Sequence, residues 1–246
     1  MKIFRSFLIL YCCLIANIHA AGEPLYVGTE SFSPPFVMQG ANKEIFGYDI
    51  DMMNTLCKFM DRTCVFKIMR FDQLIPALVQ KEIEVAVSSI TITADRAKLI
   101  NFSTPYFLSY SRFLSLKSEK PVAFTLDLLN SKKIGIETGT IFAEQISQMG
   151  IKSPQIKVYE RVEKLLEAVN AGEVDFILVD NPTATYWAAN SNTLVTVGPP
   201  LNYGFGLGIA IQPNNPGLVN AINASLLQYE NSIAYKQNYD RYLAEF

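Results

Sequence analysis

Strand-like and helical segments alternate twice along this chain, and two extended runs separate the two series. The first run, residues 105–116 (PYFLSYSRFLSL), is long and β-favouring. The second, residues 198–208 (GPPLNYGFGLG), sets glycines 204, 206 and 208 at strand period among apolar residues. A chain that builds one β-α-β series, crosses, builds another and crosses back has few folds open to it. The expectation is an α/β protein of two lobes, each a mostly parallel sheet flanked by helices, joined by two crossover strands. The glycines are not a phosphate loop, which needs a turn between a strand and a helix.

The first series starts with a strand at 25–29 (LYVGT), broken by the turn-rich ESFSPPF. A helix at 49–60 carries Ile50, Met53, Cys57 and Met60 on one stripe, a core face. Strand 64–69 and helix 71–80 follow, the helix with Leu74, Ile75 and Leu78 inward and a Pro76 that fits only near its first turn. Strand 84–90 closes the series. In the second, strand Lys133–Glu137 leads through a Thr-Gly-Thr turn to a helix at 141–149, then a strand at 155–159. Helix 161–170 buries Val162, Leu165, Leu166 and Val169; strand 174–179 ends at Asp180, and a helix starts at Pro182, where proline fits. Two helices, near 216–229 and 232–243, close the chain.

Residues 1–20 read separately. Lys2 and Arg5 precede an apolar run over 7–15 and small residues at Ala20 and Ala21, the pattern of a secretory leader too short to span a bilayer. A lipid-modified Cys12 or Cys13 is the rival, disfavoured by the bulky Tyr11. No later stretch is long and apolar enough to span. Without the leader, 19 Lys and Arg face 23 Asp and Glu, a formal −4 that does not suit nucleic acid or an anionic membrane. Half the residues are hydrophobic and 18% charged, enough apolar material for a sizeable core. The expected division is a leader at 1–20, a first lobe from 21–108 plus 205–246, and a second lobe from 109–204.

Only Cys57 and Cys64 remain after processing. In an exported chain they read as a disulfide between a helix end and the next strand, with a metal site as the weaker alternative. The sole histidine, His19, lies in the leader, which removes Ser–His and Cys–His nucleophiles and histidine acid–base chemistry. No metal or cofactor is expected.

The stretch 88–102 (SSITITADRAKLINF) is the chemical focus. Hydroxyls at Ser88, Ser89, Thr91 and Thr93 follow a strand, and Thr93 suits the N-cap of a short helix over 94–98. Arg96 then stands in the first turn, where a cation opposes the macrodipole. It is either a surface side chain or one that an anion completes, and the guanidinium fork matches a carboxylate.

Seven motifs fall in one order: GTESFSPPF (28–36), FGYDIDMM (46–53), FDQLIPAL (71–78), SSITITADR (88–96), FSTPY (102–106), IGIETGT (134–140) and VDFILVD (174–180). Together they resemble the exported amino-acid-binding proteins that feed ABC importers, most of all the lysine/arginine/ornithine and arginine branch, over the whole mature chain. The resemblance implies that Arg96 holds a ligand α-carboxylate, helped by Thr91 and by backbone amides near Thr140 and Ile141. It implies that Asp180, helped by Ser89, holds the α-ammonium, that Ser88 bonds the far end of the ligand side chain, and that Phe71 forms an aromatic wall. Glu30 takes the acidic position used against a cationic side chain.

Three positions depart from the family pattern. Ser33 stands where a second aromatic wall is usual, so either Phe32 swings in or the ligand is stacked on one side only. Ile141 replaces a hydroxyl residue and leaves only its amide. Glu137 replaces a neutral residue and reads as a second acid for the ligand cation or as a hinge-side surface group. Phe142 either covers the site or belongs to the core.

The function expected is a periplasmic, monomeric carrier that binds a basic L-amino acid, arginine first, between hinged lobes and delivers it to an ABC transporter permease in the inner membrane. A prephenate-type dehydratase on the same scaffold is the enzymatic alternative, with Glu137 as its only candidate acid. An acidic or neutral amino-acid binder fits Glu30 poorly. A receptor-like sensor needs a transmembrane continuation, absent up to Phe246.

Overall fold

A computed structural model describes residues 22–118 and 123–244; the expected leader at 1–20 lies outside them. Two five-stranded sheets organise the chain. The first runs in the order Cys64–Ile68, Leu25–Thr29, Val85–Ala86, Ala210–Ile211, Asn101–Phe102, and only Ala210–Ile211 opposes its neighbours. The second runs Leu194–Asn202, Tyr110–Leu116, Phe176–Asp180, Lys133–Glu137, Gln155–Tyr159, and only Tyr110–Leu116 opposes the rest. Each is therefore mostly parallel, and each antiparallel strand comes directly from a crossing between the lobes.

The inner parallel strands are buried on both faces, which is why VDFILV shows no polar alternation. Phe176 and Leu178 join one core with Ile134, Ile136, Phe142 and Ile146, whereas Ile177 and Val179 join another with Val162, Leu165 and Leu166. In the first lobe, helix Tyr48–Phe59 packs with helices Pro216–Glu230 and Ile233–Tyr242 on one face, and helix Phe71–Val79 lies on the other. The stripe of Ile50, Met53 and Cys57 is core. Cys57 and Cys64 are bonded, tying the end of that helix to the first residue of strand Cys64–Ile68.

Two local expectations change. Pro76 falls in the second turn of helix Phe71–Val79. It is tolerated there because it sits on the exposed side, and the helix loses one hydrogen bond while Leu74, Ala77 and Leu78 stay buried. The return crossing is shorter than 198–208. Residues 194–202 form one strand of the second sheet, bulged between Val197 and Leu201. The bulge holds Pro199 and Pro200, which cannot donate to a ladder, and the strand is at the sheet edge where that is permitted. The crossing proper is bonded to its counterpart, with the Leu207 amide donating to the Phe107 carbonyl at 2.9 Å and the Ser109 hydroxyl to the Tyr203 carbonyl. Among the described residues no helix is long and apolar enough to cross a membrane.

Candidate functional site

Strand ends from both sheets converge on one cleft between the lobes, lined by Glu30, Ser33, Phe71, Ser89, Thr91 and Arg96 from the first and Glu137, Thr140, Ile141, Phe142, Val179 and Asp180 from the second. Open α/β sheets present ligands at such ends. The lobes touch across it. Gly139, at φ +79°, lies so close to helix Phe71–Val79 that a β-carbon there would come within 2.7 Å of the Asp72 α-carbon. A glycine is required on both counts.

Thr93 caps the short helix Ala94–Ala97, its hydroxyl accepting from the Arg96 amide at 3.2 Å. That cap fixes Arg96, whose guanidinium turns inward and is 7% exposed. It donates to the Thr91 carbonyl at 2.7 Å and, across the cleft, to the Gly139 carbonyl at 2.9 Å, and lies 5.5 Å from the centre of the Phe71 ring. Among the described residues no carboxylate forms an ion pair with it. Burial brings its pKa down to about 10, so it stays charged at neutral pH. A buried cation whose hydrogen bonds go only to carbonyls is the partner an anion completes.

Opposite Arg96, Asp180 ends strand Phe176–Asp180 and accepts from the Ser89 hydroxyl at 3.0 Å and from the Tyr203 hydroxyl. Burial raises it to about 6 despite those donors and the nearby Arg96 charge. Ser89 adopts φ +44°, costly for a non-glycine residue. Its amide donates to the Asp49 carboxylate at 2.8 Å, which holds the turn. Asp49 is itself fully buried and raised by burial to about 7.

At the other end, Glu30 and Glu137 meet from opposite lobes. Both are 5% exposed, and burial pushes both above the usual carboxylate range. Glu137 is raised further by the Glu30 charge. Ser88 is fully buried behind this pair, its hydroxyl donating to Glu30 at 2.8 Å. It therefore orients Glu30 instead of lining the cleft, a different place from the one the resemblance implies. The two serines lie in a bend beyond strand Val85–Ala86, and the positive φ of Ser89 sets its side chain toward the cleft while Ser88 stays behind.

Phe32 also lies elsewhere. Its ring packs 5.8 Å from Trp187, in a groove beside the cleft, and the aromatic rings that line the cleft are Phe71, Phe142 and Tyr203. Thr140 spends its hydroxyl on the Glu137 carbonyl at 2.6 Å. Ile141 lines the cleft where helix Phe142–Gln148 begins. Phe142 does both things expected of it, lining the cleft and packing in the second lobe's core.

One end of the cleft thus presents a lone buried cation, the middle an acid, and the far end two acids. A family model, that of the bacterial extracellular solute-binding proteins, family 3, matches residues 25–245. The chain belongs to that family. An arginine-binding periplasmic protein of Mannheimia haemolytica is 32% identical over 239 residues, covering 96% of each chain. Among solved structures, an arginine 3rd transport system periplasmic binding protein from Legionella pneumophila matches with a TM-score of 0.84 at 32% identity, over 90% of this chain and 100% of that one. An ancestral arginine-binding protein bound to arginine matches with a TM-score of 0.84 at 29% identity, over 91% and 100%. The fold is accordingly the type II periplasmic binding fold.

Several residues of this solute-binding protein's cleft escape a reading of the sequence. Tyr203, which lines the cleft and bonds Asp180, sits in the glycine-rich run read only as a crossing. Thr183, buried in the cleft wall, follows Pro182 at a helix start and carried no signal beyond that place. Asp49 was detectable as an acid beside an apolar helical stripe, in the motif FGYDIDMM.

Proposed function

We propose that this family member is a periplasmic carrier that binds a basic L-amino acid, arginine first, and hands it to an ABC transporter permease without chemical change. The observation that carries the reading is the set of charges lining the cleft: Arg96, Asp180, whose charge bears both on Arg96 and on the other acids, and the pair Glu30 and Glu137, on which Arg96 does not bear. An amino acid with a cationic side chain is its complement, anion, cation, cation. Arg96 takes the α-carboxylate in a forked pair. Asp180, oriented by Ser89 and Tyr203, takes the α-ammonium. Phe71 stacks on the ligand, and Glu30, steadied by Ser88, receives the guanidinium or side-chain ammonium, with Glu137 beside it. The names of the relatives support arginine over other basic ligands.

The first lobe, from 21–108 and 205–246, and the second, from 109–204, close about the two crossings. Closure follows from a ligand that touches both, because it stabilises the closed arrangement over the open one. The closed monomer is the form that the permease reads.

The test is thermal unfolding of the purified protein, stripped of co-purified ligand by partial unfolding, against the twenty amino acids with ornithine and citrulline. A native-state ligand raises the midpoint. A rise with arginine and little with citrulline is expected. No rise with any of them, or turnover of prephenate, overturns the carrier reading.

A further inference from the structure

Glu30 and Glu137, each 5% exposed, line one cleft from opposite sheets, and two buried acids so placed cannot both ionise cheaply. Glu30 accepts from the Ser88 hydroxyl at 2.8 Å and is the better supported anion, while burial and the Glu30 charge raise Glu137, so the pair shares a proton in the free protein. The charged groups that bear on the pair from the elements around it are Glu163 of helix Val162–Asn170 and Asp180 of strand Phe176–Asp180, both acids. Among the described residues neither member forms an ion pair with a cation. Glu137 lines the cleft, and its Oε1 is buried with no hydrogen-bond partner, an acceptor facing nothing the protein supplies.

Charge balance inside the closed cleft then depends on the proton count. With one proton, the pair carries one negative charge, Asp180 another and Arg96 one positive charge. A basic amino acid, net positive, brings the whole to zero. With a second proton the pair is neutral, and zero is reached by an amino acid whose side chain is polar and uncharged. Buried charge without a counterion is costly, so each proton count favours its own ligand class.

We propose that Glu30 and Glu137 form a proton-gated selectivity element, taking a cationic side chain when they share one proton and a neutral carboxamide or urea side chain when they hold two. The inference rests on the basic-amino-acid reading above. Arginine expels the second proton, so its affinity rises with pH by at most about tenfold per unit until only one proton remains. Citrulline, its uncharged analogue, lacks that gain, so the ratio of arginine to citrulline affinity rises over the same range.

Two measurements test the gate. The first is carbon-13 NMR of ligand-free protein labelled at the glutamate carboxyls. One carboxyl should keep a protonated shift at about pH 7.5 and vanish in Glu137→Gln; every glutamate ionised at about pH 6 overturns the proposal. The second is calorimetry of arginine and citrulline at about pH 8 and about pH 5.5, in buffers of different ionisation enthalpy. The preference for arginine should shrink at least about tenfold at the lower pH, with proton release on arginine binding, and Glu30→Gln should abolish that dependence. A preference independent of pH overturns the gate and leaves the arginine reading standing. No arginine binding at either pH, with the protonated carboxyl still observed, overturns the ligand reading and the gate with it.

Discussion

The two ends of the cleft are built on opposite plans. Around Arg96 the protein supplies one charge and meets its donors with carbonyls from both lobes. Around Glu30 and Glu137 it supplies two acids and no cation among the described residues. On the proposed reading, the Arg96 end meets what all amino acids share and is organised in advance, whereas the acidic end meets the side chain and is left for the ligand's own charge to complete. Selectivity on this plan resides less in shape than in how costly an unanswered buried acid is.

The comparison is broken most directly at Arg96. Arg96→Ala should weaken arginine, lysine and glutamine alike by more than about a hundredfold, about 3 kcal/mol, measured by calorimetry. Affinity retained for any of them would remove the shared clamp from that end. Next in size, Glu30→Gln should cost arginine about thirtyfold and citrulline less than about threefold. Equal losses would erase the difference between the ends. Tyr203→Phe removes a donor to Asp180 and should cost every ligand about fivefold, near 1 kcal/mol; a loss confined to arginine would put Tyr203 at the wrong end.

The last effect is on the stability of the unliganded protein. Burial raises Asp49 from 3.8 to about 7 and Asp180 from 3.8 to about 6, so the folded state binds their protons more tightly than the unfolded chain. Their contribution is fully present below about pH 4 and is lost as pH rises through the raised values. The free protein's melting midpoint should therefore fall by about 8 °C between about pH 5 and pH 8. Saturating arginine should reduce that fall, since its ammonium keeps Asp180 ionised at little cost; an identical fall would take the ammonium away from Asp180.

Much of this was legible from residues that contradict their own surroundings. Arg96 stands in a first helical turn, where a cation is a poor choice, and Asp180 and Glu137 end otherwise apolar strands. Such conflicts survive in a sequence only when something distant resolves them. What stayed hidden depends on long-range geometry. Ser89 and Asp49 are 40 positions apart, and Tyr203 and Asp180 are 23 apart, on segments whose local patterns speak only of helix core and crossing. Ser88 and Ser89 are chemically identical in the sequence. The left-handed turn at Ser89 decides which one meets the cleft. The fold was easier to read because apolar runs at strand length and stripes at helical period are repeated along the whole chain. Pro76 and the Pro199–Pro200 bulge deceived because proline's tolerance depends on which side of an element meets solvent.

The packing of Phe32 on Trp187 has a further consequence. It joins the two lobes outside the cleft, and Trp187 is the chain's single tryptophan. Any opening of the lobes must separate that ring from its neighbour and change what surrounds it. The protein thus carries a built-in optical gauge of its own closure, readable from ultraviolet emission without a dye and undiluted by any second indole.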